Sequence, residues 1–236
     1  MKLRVMTFNT QHCLNFLTQK IDYEKMADTV RACAPDIVSL NEMRGKGAAD
    51  GYDDQVPILA ERTGMAGISA EAIRFEGESP YGNGLLSRFP VIHYEVIPIP
   101  APEVKGYGGY YEDRCLLKAV LDLGGKPLTV MVIHYGLNPD EAERATDAVL
   151  ENLPRERCVL MGDFNLTPDS PYIAKIRTRM QDAAEYAPED TKSFPSDASK
   201  VKIDYIFVSR DIKILSSEVP PIVASDHRPH IADLEI

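Results

Sequence analysis

Cys158-Val159-Leu160-Met161-Gly162-Asp163-Phe164-Asn165 is a short apolar run that ends on an acid and an amide. A run of this kind reads as a buried strand whose last residues emerge, rigidly held, at a cleft. Four other runs end in the same way. Leu3 to Phe8 delivers Asn9, and Asp36 to Leu40 delivers Asn41-Glu42. Leu128 to Ile133 delivers His134, and Val223-Ala224 leads into Ser225-Asp226-His227-Arg228-Pro229. Taken singly, each ending has an ordinary explanation as a solvated turn or a structural histidine. Together they predict several strands of one sheet ending on a common edge, where acids, amides and histidines gather as a metal-plus-base site. Oxygen donors without cysteine favour a hard divalent ion, Mg²⁺ or Mn²⁺.

Further β-rich runs at 84–87, 91–97, 115–123, 203–208 and 231–236 surround these five. Helical patterns fall between some of them. Residues 21–33 place Ile21, Met26, Val30 and Cys33 on roughly one face, and Pro35 stops the pattern. Asn138-Pro139-Asp140-Glu141 is a helix start, with a cap, a proline at the first turn and acids facing the dipole. That helix should run to about Leu153, before Pro154. Two Pro/Gly-rich or polar stretches, 98–112 and 187–200, are too long for turns and read as loops near a site. Strand patterns resume on either side of both, so residues 1–236 are expected to form one α+β catalytic domain.

The chain carries 26 Lys and Arg against 36 Asp and Glu, a net charge of −10. A protein that grips long nucleic acid through its phosphates usually has the opposite sign. Cys13, Cys33, Cys115 and Cys158 are scattered without metal-binding spacing, which predicts buried, reduced thiols. No apolar run approaches a membrane span, and the N-terminus turns polar too soon for a signal peptide, so a cytoplasmic monomer is expected.

The ordered set of these stretches resembles the endonuclease/exonuclease/phosphatase superfamily, whose members share a DNase I-like fold. The resemblance is carried by Met6 to Asn9, Asp36 to Glu42, Asn83 to Arg88, Asp113-Arg114, His134, Gly162 to Asn165, Ile203 to Phe207 and Ser225 to Pro229. It covers the chain from residue 3 to the end and points to a compact bacterial-type member. It implies a four-layer αββα sandwich of two mostly antiparallel sheets, and metal-dependent hydrolysis of a phosphoester. By the family's pattern, Glu42 would be the principal metal ligand with Asn9 beside it, and Asp226 would complete the metal-side acids. Asp163 would orient or deprotonate the attacking water, and Asn165 would hold the phosphate. His227, oriented by Asp204, would meet the phosphate opposite the metal, and His134 and Arg114 would bind its oxygens. Asn41 stands where relatives carry Gln, and its amide is expected to reach a metal-bound water. His12 is a further candidate for the cleft.

These residue types suit the reaction on chemical grounds. A phosphodiester repels hydroxide, so a divalent ion must neutralise charge on the phosphoryl oxygens and the leaving group. An aspartate beside a histidine favours the imidazolium, and arginine adds paired donors for phosphate oxygens. The substrate is expected to be a phosphorylated small molecule or lipid headgroup, cleaved as a diester or monoester. DNA or RNA cleavage is the alternative, and a non-catalytic binding module is the weakest reading. Tyr107, Tyr110 and Tyr111, just before Asp113-Arg114, could stack on a substrate, with Tyr110 and Tyr111 as the named contacts. The basic clusters at 175–179 and at Lys200 and Lys202 are expected to lie on the solvated surface.

Overall fold

Alternation along each strand sorts the apolar side chains into an inner and an outer set. In β1 (Lys2–Asn9), Leu3 and Val5 join one buried cluster while Met6 and Phe8 join another. The computed structural model describes residues 1–47, 51–75, 79–187 and 190–236. After β1 come β2 (Leu14–Asn15), β3 (Lys20–Ile21), β4 (Ile37–Arg44), β5 (Ala66–Phe75), β6 (Ser79–Ser87) and β7 (Val91–Ile99). The second half holds β8 (Arg114–Asp122), β9 (Pro127–His134), β10 (Cys158–Asp163), β11 (Met180–Asp182), β12 (Asp204–Ser209), β13 (Lys213–Glu218) and β14 (His230–Glu235). The helices are α1 (Tyr23–Cys33), α2 (Gln55–Thr63), α3 (Pro139–Asn152) and α4 (Pro171–Arg177).

One six-stranded sheet has the order β13-β14-β1-β4-β6-β5, and the other has β11-β12-β10-β9-β8-β7. Each contains a single parallel pair, β1 with β4 and β9 with β10, and the remaining neighbours are antiparallel. The inner faces meet in one core, where Val5, Ile37 and Leu85 of the first sheet join Leu117, Val132 and Ile206 of the second. Met26, Val30 and Leu59 of α1 and α2 cover the outer face of the first sheet. Ala145, Val149, Ile173 and Ile176 of α3 and α4 cover that of the second. The result is a four-layer αββα sandwich.

The two crossover helices follow local chemistry. In α1, the Asp22 side chain accepts from the Lys25 N–H at 3.0 Å, and Ala34 closes the helix in the left-handed conformation. The start of α3 at Pro139 carries a capping box between Asn138 and Glu141. Because α1 and α3 return the chain for parallel pairing, each delivers two strand C-termini side by side. β2, β3, β5, β11, β13, α2 and α4 add elements that the apolar runs did not announce. All four cysteines are free and buried. Among the described residues no helix is long and apolar enough to cross a membrane.

His230 at the head of β14 makes the fold sensitive to acid. It is fully buried, with Nδ1 donating to the Asp204 carbonyl at 3.3 Å and Nε2 meeting Ser217 Oγ at 2.8 Å. Burial, then the Lys202 charge, depresses its pKa to about 4. The unfolded chain therefore takes up this proton near pH 6.5, while the folded chain refuses it until pH falls to about 4. Stability is complete above pH 6.5 and should fall by about 3 kcal/mol between pH 6.5 and 4 from this residue. Urea unfolding at pH 7 and 4.5 measures the loss, and His230→Gln should flatten it. An unchanged slope in that variant would assign the acid sensitivity elsewhere.

Candidate active site

The alternation that builds the core also aims the polar side chains. In β1, Asn9 shares the parity of inner-facing Leu3 and Val5. His134 shares that of Val130 and Val132, Asp163 that of Val159 and Met161, and Asp204 that of Ile206 and Val208. All four therefore face the gap between the sheets at one end of the sandwich. The edge is assembled from both sheets, not from one as expected. Antiparallel pairing brings strand starts to it as well as strand ends, since Asp163 pairs with Asp204 and Thr7 with His230.

Glu42 has the opposite parity and reaches the site by a different device. The β4–β6 register shifts between Leu40 and Met43, and Glu42 takes a left-handed φ of 62°. A bulge of this kind re-aims a side chain at the cost of backbone strain. Asn41, next to it, is buried and fully engaged. Its Nδ2 donates to Asn83 Oδ1 at 2.8 Å and to the Ile133 carbonyl at 3.0 Å, and its Oδ1 accepts from the Asp163 N–H at 3.0 Å. It clamps the two sheets together beneath the site, which corrects the expectation that its amide meets a metal-bound water.

Asp163 lies at the centre and is 1% exposed. Its Oδ2 accepts from Asn9 Nδ2 at 3.0 Å and lies 3.5 Å from His134 Nε2 and 3.6 Å from His227 Nε2. Its Oδ1 accepts from the Asn165 N–H at 2.9 Å, a closure that the left-handed φ of 49° at Asn165 allows. The second proton of the Asn9 amide goes to Glu42 Oε1 at 3.0 Å, so Asn9 bridges the two acids. Its Oδ1 accepts from the Gln11 N–H at 3.0 Å. In this orientation Asn9 turns donors, not a lone pair, towards the acids.

The electrostatics separate the two histidines. His227 Nδ1 contacts Asp204 Oδ2 at 2.8 Å. Burial disfavours its charged form, but Asp204 and then Asp163 outweigh burial and raise its pKa above the ordinary histidine value. His134 Nδ1 faces Arg114 Nη1 at 3.1 Å and must accept from it, which leaves the proton on Nε2, towards Asp163. Burial and the adjacent guanidinium press the His134 pKa down to about 3, so it works as a neutral donor. The Asp163 carboxyl is raised by burial and by Asp204, against the opposing His227 charge. Burial alone would raise Glu42 too, yet the His12 and Asn9 donors and the imidazoles hold it at about 2.

Asp226 lies near Glu42, and its Oδ1 accepts from Ser225 Oγ at 2.9 Å. Its pKa is raised by burial and by the Glu42 charge, against the effect of His227. Two carboxylates that repel each other in a polar cleft suit a cation between them. Their hard oxygen donors, with all four thiols buried elsewhere in free form, fit Mg²⁺ or Mn²⁺.

Glu112 and Phe194, outside the expected set, join the site, and so does His12, the further candidate for the cleft. Glu112 Oε2 pairs with Arg114 Nη2 at 3.0 Å. Phe194 packs its ring 4.9 Å from that of His227. His12 Nδ1 comes within 3.9 Å of Glu42 Oε2. Glu112 had a visible signal, since it lies two residues before Arg114 on the same strand approach.

The tyrosine loop divides. Tyr107 and Tyr110 are exposed, and the Tyr110 hydroxyl donates to Glu112 Oε1 at 3.2 Å. Tyr111, expected to touch substrate, is instead buried in its own loop. Its hydroxyl donates to Asp140 Oδ2 at 2.9 Å and accepts from the Tyr107 N–H at 2.9 Å, tying the loop to the start of α3. Lys202 also departs from expectation, since it is buried over the Tyr205 ring with Nζ 3.5 Å from Asp182.

Comparison with known proteins agrees with this geometry. The model of the Endonuclease/Exonuclease/phosphatase family matches residues 6–227. The chain is 24% identical over 255 aligned residues to the uncharacterized protein YbhP of Escherichia coli strain K12, covering 99% of this chain and 96% of that one. Among solved structures, an endonuclease/exonuclease/phosphatase from Beutenbergia cavernae superposes with a TM-score of 0.82 at 24% identity, over 100% of this chain and 72% of that one. A mannosyl-6-phosphatase of Bacteroides thetaiotaomicron gives 0.79 at 17% identity, over 99% and 100% of the two chains. The catalytic domain of human Nocturnin with bound sulfate gives 0.74 at 19%, over 99% and 93%. With its whole site lying inside the matched span, the chain belongs to the endonuclease/exonuclease/phosphatase family and has the DNase I-like fold.

Proposed function

We propose that the protein is a metal-dependent phosphoesterase that hydrolyses a phosphorylated small molecule or lipid headgroup. The observation that carries this reading is Asp163, a buried carboxylate with Asn9, His134 and His227 donors around one oxygen. Glu42 and Asp226 would hold Mg²⁺ or Mn²⁺, which supplies charge neutralisation at a phosphoryl oxygen. Asn9 keeps the Glu42 and Asp163 carboxylates in a fixed relation. Asp163, with its pKa raised towards neutrality, takes the proton of the attacking water at Oδ2. His227, kept cationic by Asp204, donates from Nε2 to the phosphoryl group. His134 Nε2, Asn165 Nδ2 and Arg114 orient the remaining oxygens. Tyr110, exposed beside Glu112, would contact the organic part of the substrate.

The nucleic acid reading has less support, since Lys202 of the basic run is buried against Asp182 rather than offered to a backbone. The four buried free thiols fit a reducing compartment.

Hydrolysis of bis-p-nitrophenyl phosphate and p-nitrophenyl phosphate with Mg²⁺, Mn²⁺ or EDTA tests the proposal. Cleavage abolished by EDTA is expected. Glu42→Ala should raise the metal concentration for half-maximal rate by about tenfold or more, with excess Mn²⁺ restoring part of the activity. EDTA-resistant cleavage, or normal metal dependence in Glu42→Ala, would overturn the assignment.

A further inference from the structure

Arg114 does not enter the site as a free cation. Its Nη2 pairs with Glu112 Oε2 at 3.0 Å, and the two side chains are only 9% and 10% exposed. Its Nη1 donates to His134 Nδ1 at 3.1 Å. Glu112 is itself held in place, because its N–H donates to Glu141 Oε1 at 3.2 Å and its Oε1 accepts from Tyr110. Glu141 is the buried acid of the α3 capping box, so the whole arrangement is anchored on a helix start. A second strong charge is thus built in beside the phosphate-binding guanidinium, and it cancels that guanidinium.

The consequence concerns substrate charge. A phosphodiester carries one negative charge, whereas a phosphomonoester carries between about 1.5 and 2 near neutral pH. The site already presents the carboxylates of Glu42, Asp163, Asp204 and Asp226. If Arg114 were unpaired, a dianion would be welcome. With Glu112 paired to it, Arg114 no longer offsets those carboxylates, so each extra negative charge on the substrate gains less than a free guanidinium would give it. We infer that Glu112 is a specificity-determining residue that neutralises Arg114 and tunes the site to a monoanionic phosphodiester over a dianionic phosphomonoester. The inference rests on the phosphoesterase reading and narrows its substrate class.

The Glu112→Gln variant keeps the size and a hydrogen-bond acceptor for Arg114 while removing the charge. One charge removed a few ångströms from a bound dianion, at intermediate effective dielectric, changes affinity about tenfold, and about threefold for a monoanion. In Mg²⁺-saturated protein at pH 8, inorganic phosphate should therefore bind Glu112→Gln about tenfold tighter than wild type by calorimetry, and dimethyl phosphate about threefold tighter. The monoester-to-diester ratio of kcat/KM should rise about threefold to match. Glu112→Asp, which keeps the charge, should retain the wild-type ratio even where its rate falls.

A purely structural Glu112 predicts something else. Losing it would weaken both anions alike and lower kcat/KM for both esters by one factor, and that result overturns the inference. Unchanged affinities, or no binding of either anion to either protein, overturn it too. Should neither ester be cleaved while the phosphate shift appears, the charge selection stands and the phosphoesterase reading fails.

Discussion

Asp163→Asn is expected to lower kcat/KM on a reactive phosphodiester by about 10³, with the fold retained and the melting temperature lowered only modestly. Asparagine has a single oxygen: at the Oδ1 position it keeps the Asn165 N–H bond of 2.9 Å, while its NH2 group stands where Oδ2 accepted from Asn9 Nδ2 at 3.0 Å, so that one bond is lost. The proton acceptor is lost with it. The wild-type rate should itself fall on acidification well above the ordinary carboxylate range, because burial and Asp204 raise the Asp163 pKa and the base must be ionised. It should fall again on the alkaline side, beyond the ordinary histidine value, because Asp204 and Asp163 keep His227 protonated to higher pH. The residual activity of Asp163→Asn should lack the acid limb. A variant that keeps more than about a tenth of the wild-type rate, or the same acid limb, would remove Asp163 from the role of base.

Gly162→Ala is expected to be the most damaging substitution for the fold. Gly162 has φ of 154° and pairs with Ile133 in the parallel β9–β10 ladder. A Cβ there would lie 1.8 Å from the Ile133 carbonyl oxygen. That carbonyl also accepts from Asn41, so it cannot retreat without opening the clamp between the sheets. The cost should reach about 4 kcal/mol, a fall in melting temperature of roughly 10 °C for a domain of this size. Calorimetry measures it directly. A shift under about 3 °C would show that β9 and β10 can separate locally without loss.

Much of the site could be read from one dimension. Apolar runs that end on Asn9, His134 and Asp163 are buried strands, and a buried strand can expose polar chemistry only at its end. Parity then gives direction, since Asp163 falls on the same side as Val159 and Met161. The caps of α1 and α3 were equally local, because Asp22 and Asn138 bond within their own first turns. Less visible were β5, rich in Ala and Gly, which is a strand because it lines the edge of β6, and α2, whose first turn contains Pro57. Their signals come from neighbours, not from their own composition.

The sequence by itself determined the alphabet of the site, namely which acids, amides and histidines end apolar strands, along with the α+β class, while its resemblance to a known family supplied the sandwich. Tertiary structure alone decided how those letters are joined. Only the packing of two sheets could place Asn9 between Glu42 and Asp163, which lie 33 and 154 residues from it. Only the bulge in β4 could turn Glu42 towards a cleft that its parity denies it. Burial and neighbouring charges together then set the protonation states, burial and Arg114 keeping His134 neutral while Asp204 and Asp163 override burial to keep His227 cationic, although both are the same residue type. The physical reason is that hydrogen-bond reach and desolvation depend on neighbours in space, and strand pairing brings together residues that lie far apart in the chain.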